Sequence, residues 1–90
     1  MLMEDAIKVK IYSKDHCSSC VRVKLLLDQL GVVNEVIDLT GDLDGMQKLA
    51  HLTGRFTLPQ VFVGDELIGG YEDVQLSLRN QRLREALGVG

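Results

Sequence analysis

From Ala6 to Tyr12 apolar and polar residues alternate, with Ile7, Val9 and Ile11 on one side and Lys8, Lys10 and Tyr12 on the other. This period of two, rich in β-branched residues, predicts a strand. At Ser18 the period changes. Val23, Leu26, Leu27 and Leu30 fall at i, i+3, i+4 and i+7 while Arg22, Asp28 and Gln29 take the opposite face, which predicts an amphipathic helix closed by Gly31. Val32-Val33, Val36-Ile37 and Leu39 predict a second strand, interrupted in polarity by Asn34-Glu35. Thr40-Gly41-Asp42 is turn chemistry, and Asp42 and Asp44 set negative charge at the start of a second helix. That helix carries Leu43, Met46 and Ala50 inward and ends near Gly54. Val61-Phe62-Val63 and Leu67-Ile68 flank Gly64-Asp65 as a tight hairpin. Gly69-Gly70 breaks the strand, Val74, Leu78, Leu83 and Leu87 predict a last helix, and Gly88-Val89-Gly90 is expected to fray.

The order is β-α-β-α-β-β-α. Two strands joined across a helix run parallel with a right-handed crossover, and the hairpin adds two antiparallel strands. The fold class is therefore α/β, a mixed four-stranded sheet covered by three helices. One tension is local: Lys8 and Lys10 are odd on a strand that ought to be central. Either their stems run past a sheet edge or the first strand begins partly exposed. The chain has 90 residues, 46% of them hydrophobic and 26% charged, which fits one globular domain over residues 1–90 and excludes disorder and a coiled coil. A net charge of −3 argues against a partner nucleic acid or an anionic membrane surface. No apolar run is long enough to cross a bilayer. Met1-Leu2-Met3-Glu4-Asp5 lacks the basic and apolar regions of a secretory signal, so a cytoplasmic location is expected.

The two cysteines, Cys17 and Cys20, change the picture most. A small secreted scaffold would use more cysteines and close longer loops, because a bridge over so few residues constrains little of the unfolded chain. This spacing serves chemistry instead. The first strand ends at Tyr12-Ser13, and Cys17 arrives where the first helix begins, beside unpaired backbone N–H groups and the positive end of the helix dipole. Both favour a thiolate, and Lys14 on the same loop adds a full positive charge. A thiol with a pKa of about 8.5 is only roughly 3% ionised at pH 7, so several donors acting together speed its attack. Cys20, one turn into the helix, is placed to resolve a mixed disulfide on Cys17. A zinc site would need four ligands, and only His16 and His51 are available beside the cysteines. His16 reads as a loop residue and His51 as helix surface. A CxxC pair at a strand-to-helix junction in a βαβ unit is the thioredoxin-like setting.

Tyr12-Ser13-Lys14-Asp15-His16-Cys17-Ser18-Ser19-Cys20, then Thr57-Leu58-Pro59-Gln60-Val61-Phe62-Val63, then Gly69-Gly70-Tyr71-Glu72-Asp73 together resemble the glutaredoxin pattern over nearly the whole chain. The resemblance implies a thioredoxin fold and a dithiol enzyme that reduces protein disulfides and glutathione mixed disulfides, with glutathione as reductant. Its partners would be glutathione and disulfide-containing or glutathionylated proteins, and the chain would act as a monomer. By resemblance Cys17 is the nucleophile and Cys20 the resolving thiol, and the Leu58-Pro59 bond is cis, freeing the Leu58 backbone to pair with the cysteinyl part of glutathione. Lys14 and Arg55 would meet the glycine carboxylate, with Phe56 a competing occupant of the Arg55 place. Backbone N–H groups of Tyr71 and Glu72 would bind the γ-glutamyl carboxylate, and Asp73 would accept from its ammonium. Glu72 and Asp73 would complement the helix dipole in any case.

Ser18-Ser19 departs from the Pro-Tyr common between the cysteines of the family. The loss of proline frees an N–H at the helix start, and the loss of tyrosine removes an aromatic wall beside glutathione. Serine at that place also accompanies family members that bridge a [2Fe–2S] cluster between two subunits with two glutathiones, so a cluster-binding dimer is one alternative. Another is an electron donor to ribonucleotide reductase fed by thioredoxin reductase. The Gly69-Gly70-Tyr71-Glu72-Asp73 segment argues against it, since such relatives carry a different sequence there.

Overall fold

The computed structural model describes residues 8–81. Ala6 and Ile7, expected in the first strand, and Leu83 and Leu87, expected in the last helix, lie outside the described residues. The elements follow the expected order: β1 Val9–Ser13, α1 Ser18–Gln29, β2 Asn34–Asp38, α2 Leu43–Thr53, β3 Gln60–Val63, β4 Glu66–Gly69 and α3 Tyr71–Arg79. The sheet order is β2-β1-β3-β4. β1 runs parallel to β2, and β3 is antiparallel to both β1 and β4.

Strand alternation divides the core between the two faces of the sheet. Val9, Ile11, Val61, Val63 and Ile68 pack with Val23 and Leu27 of α1 and Val74 of α3. On the other face Leu39, Leu49 and Phe62 pack with Tyr12, Ile37, Met46 and Leu67 beneath α2. Tyr12 and Phe62 meet edge to face, their ring centroids 5.7 Å apart. Lys10 lies on this second, thinner-covered face. It is half-buried in a shallow depression with Leu52, Phe62 and Asp65, which is how a central strand tolerates it. Lys8 precedes β1 and is exposed, whereas the strand itself begins at the buried Val9, so Lys8 is not a strand residue.

Two expectations need correction. The second strand spans Asn34–Asp38, so Val32, Val33 and Leu39 fall outside it. Gly31, at φ 74°, lets its own N–H donate to the Asp28 carbonyl at 3.0 Å and the Val32 N–H donate to that of Leu27, also at 3.0 Å. This is a Schellman closure of α1, so Val32 is committed to the helix end and Val33 stands 89% exposed. Asn34 then donates to the Val32 carbonyl and to Asp28, both at 2.9 Å. The second correction concerns α2. Asp42 caps it, accepting from Gly45 N–H at 2.9 Å, and Gly54 ends it at φ 76°. Leu43, expected inward, is exposed because the first turn overhangs an open depression, and the buried residue of this helix is Leu49.

Candidate redox site

β1 ends at Ser13 and hands the chain to the loop Lys14-Asp15-His16. The Asp15 N–H donates to Thr40 Oγ1 at 2.7 Å, and Asp38 accepts from Thr40 N–H at 2.9 Å, so the loops after β1 and β2 are tied together. His16, at φ 57°, turns the chain into Cys17. Cys17 is the N-cap of α1, with its Sγ accepting from the Cys20 N–H at 3.2 Å. No acidic residue occupies the first turn of this helix. The two cysteines form a disulfide whose Cα atoms are 5.2 Å apart. Cys17 is half-buried and Cys20 buried, so Cys17 is the sulfur an outside partner can reach. The Leu58 carbonyl oxygen stands 3.9 Å from Cys17 Sγ.

A groove of about 320 Å³ runs between the starts of α1 and α3, with the Leu58-Pro59 segment along it. The Leu58-Pro59 peptide is cis. Arg55, Leu58, Pro59, Tyr71, Glu72 and Asp73 all line this groove, so the fold brings together six of the seven residues expected around glutathione. Lys14 lines a separate depression instead, with Leu39, Met46 and Phe56. Asp73 Oδ2 accepts from the Gly70 N–H at 2.9 Å and from Arg55 Nη1 at 2.9 Å. The Arg55 guanidinium first, and the Gly70 N–H second, hold the Asp73 carboxyl below its ordinary value of 3.8.

Ser19, which stands where the family's tyrosine wall would be, also lines the groove, as do Arg22, Thr57 and Gln60, which were not anticipated. Ser19 and Arg22 are three apart at the start of α1, a spacing that puts them on one side of the helix. That was the available signal. Gln60 carried none: its buried Nε2 donates to the carbonyl and hydroxyl of Thr57 at 3.1 and 3.2 Å, while its Oε1 has no partner among the described residues. His16 and His51 are both exposed. Among the described residues no group of three or more His, Cys, Asp or Glu side chains could hold a metal ion.

A half-buried cysteine capping the helix of a parallel β-α-β unit, with a second cysteine buried one turn behind it, defines a thiol–disulfide exchange site on a thioredoxin-like fold. Comparison with known proteins narrows that class. The family model described as Glutaredoxin matches residues 9–68. Glutaredoxin-C6 of Oryza sativa subsp. japonica is 45% identical over 76 residues, covering 81% of this chain and 67% of the rice protein. Glutaredoxin-C2 of Arabidopsis thaliana is 46% identical over 65 residues, covering 69% of this chain but 59% of its own length. The crystal structure of a buckwheat glutaredoxin–glutathione complex superposes with a TM-score of 0.82 at 36% identity, covering 91% of this chain and 77% of that one. This chain belongs to the glutaredoxin family, whose members are thiol–disulfide oxidoreductases.

Proposed function

We propose that the chain catalyses glutathione-dependent thiol–disulfide exchange, with Cys17 as nucleophile and Cys20 as resolving thiol. The observation that carries this is the placement of the two sulfurs: Cys17 caps α1, half-buried and 3.9 Å from the carbonyl oxygen of the groove residue Leu58, and Cys20 is buried one turn on. With a glutathione mixed disulfide, the Cys17 thiolate attacks the glutathione sulfur. A Cys17–glutathione bond forms, the substrate leaves as thiolate and takes a proton from water. A second glutathione thiolate then attacks that bond, giving oxidised glutathione and restoring Cys17. With a protein disulfide, Cys17 forms a mixed disulfide with one substrate sulfur. The Cys20 thiolate then attacks Cys17 Sγ, releasing the second substrate thiol and leaving the Cys17–Cys20 bond, which two glutathiones reduce.

The groove fits the tripeptide in chemistry. The γ-glutamyl carboxylate would take the N–H groups of Tyr71 and Glu72 at the start of α3, its ammonium would face Asp73, and the cysteinyl backbone would pair with Leu58. Lys14, which lines the separate depression with Leu39 and Phe56, would attract the glycine carboxylate. The glutathione bound in the buckwheat relative supports this reading. It calls for a compartment holding reduced glutathione, as the cytoplasm does, and for a chain acting as a monomer. The test is reduction of a glutathione mixed disulfide coupled to glutathione turnover. Wild type should be active, Cys17→Ser inactive, and Cys20→Ser should keep the mixed-disulfide reaction while losing reduction of protein disulfides. Activity retained by Cys17→Ser would sink the proposal.

A further inference from the structure

Arg55 is one of the two cations expected at the glycine carboxylate, with Lys14, yet its guanidinium is committed elsewhere. Nη1 donates to Asp73 Oδ2 at 2.9 Å, across the groove rim from the end of α2 to the start of α3. The backbone of Arg55 is fixed too. After Gly54 closes α2, the Thr53 hydroxyl accepts from the Arg55 N–H and donates to its carbonyl, each at 3.1 Å. At the other end Asp73 has a shaped seat. Gly69, at φ 120°, leaves the space the carboxylate needs, since a Cβ there would come within 2.7 Å of Asp73 Cγ. The Gly70 N–H then donates to the same oxygen that Arg55 holds. Both protein donors share Oδ2, and Oδ1 accepts from no described residue. A carboxylate held by one oxygen, in a residue lining the groove, keeps the other free for a donor from a ligand.

We infer that Arg55 is a positioning residue that orients Asp73 so that its free oxygen reads the α-ammonium of the γ-glutamyl group, and that Arg55 does not itself hold the glycine carboxylate. This rests on the glutathione reading and assigns its two ends separately. The ammonium end belongs to the Arg55–Asp73 pair, and the carboxylate end is left to Lys14 in its separate depression. Because the pair is partly exposed, Arg55 acts on substrate affinity and leaves the chemical step on Cys17 untouched.

The experiment uses the mixed disulfide of glutathione with 2-mercaptoethanol and two analogues, one acetylated on the γ-glutamyl amine and one amidated at the glycine carboxylate. KM and kcat are measured for wild type, Arg55→Gln, Arg55→Lys, Asp73→Asn and the double variant Arg55→Gln with Asp73→Asn. In wild type both modifications should raise KM. Arg55→Gln should raise KM for the unmodified substrate about two- to fivefold with kcat unchanged, the size expected of a partly exposed ion pair. It should shrink the penalty for acetylating the amine and leave the penalty for amidating the carboxylate intact. Arg55→Lys should restore part of the loss, and Arg55→Gln should add nothing once Asp73 is asparagine. If Arg55→Gln instead abolishes the glycine-amide penalty, or alters neither, or adds fully to Asp73→Asn, the inference is overturned while the glutathione reading stands. A wild type indifferent to both modifications would overturn both.

Discussion

The starts of α1 and α3 open on one groove with opposite electrostatic settings. Both helices point their N-terminal dipoles there, and each end has unpaired N–H groups to offer. At α1 the cap is the Cys17 sulfur and the first turn is free of acids, so nothing competes with a thiolate for the positive field. At α3 the first turn holds Glu72 and Asp73, and Asp73 already takes the Gly70 N–H. A helix start filled by its own carboxylate is poorly set for a bare anion and well set for a zwitterion, with donors for a carboxylate beside an acceptor for an ammonium. On the proposed function, the same backbone device would serve reactivity at the start of α1 and recognition at the start of α3, with neighbouring side chains deciding which.

The largest expected effect separates cap from nucleophile. Serine caps helices as well as any residue, so Cys17→Ser should keep the thermal midpoint of reduced wild type nearly unchanged while exchange falls to background. Next in size is the recognition end. Asp73→Asn should raise KM for a glutathione mixed disulfide about tenfold, the low end for a hydrogen bond to a charged group, and should not move the pH midpoint for alkylation of reduced Cys17. An equal shift of that midpoint would erase the distinction between the two helix starts. Ser18→Asp makes α1 resemble α3. By the usual worth of a charge at a helix terminus, the alkylation midpoint should rise by about 0.2–0.7 pH unit with KM little changed.

The smallest effect is acid-linked. Because the Asp73 carboxyl is held below 3.8, the stability it contributes is complete above that pH and is lost as pH falls toward its lowered native value. In Arg55→Gln this fall in unfolding free energy below pH 3.8 should shrink, as it should for wild type in high salt, since the pair is partly exposed. Urea titrations across that range would read it.

Much of this was legible because the informative signals are local. Periodicity located β1 and the helices, apolar runs flanking Gly64-Asp65 located the hairpin, the spacing of Cys17 and Cys20 located the chemistry, and the glycines at 31 and 54 marked helix ends. What was lost depended on contacts between elements. Val32-Val33 look like strand residues, yet the N–H of Val32 had already been claimed by the carbonyl of Leu27. Leu43 has the right helical phase, but burial requires something above it, and no periodicity reports where a sheet ends. Arg55 and Asp73 were both expected at the ligand, and their mutual bond was not, because a pair eighteen residues apart leaves no mark in sequence.

The bond from the Cys20 N–H to the Cys17 sulfur has a consequence in isotope exchange. A neutral disulfide sulfur is a weak acceptor and a thiolate a strong one, so this amide is held most tightly when Cys17 is charged and ready to react. Deuterium uptake at this one backbone site would follow the catalytic state of the protein directly, slowing on reduction and quickening on formation of each mixed disulfide, with no label attached.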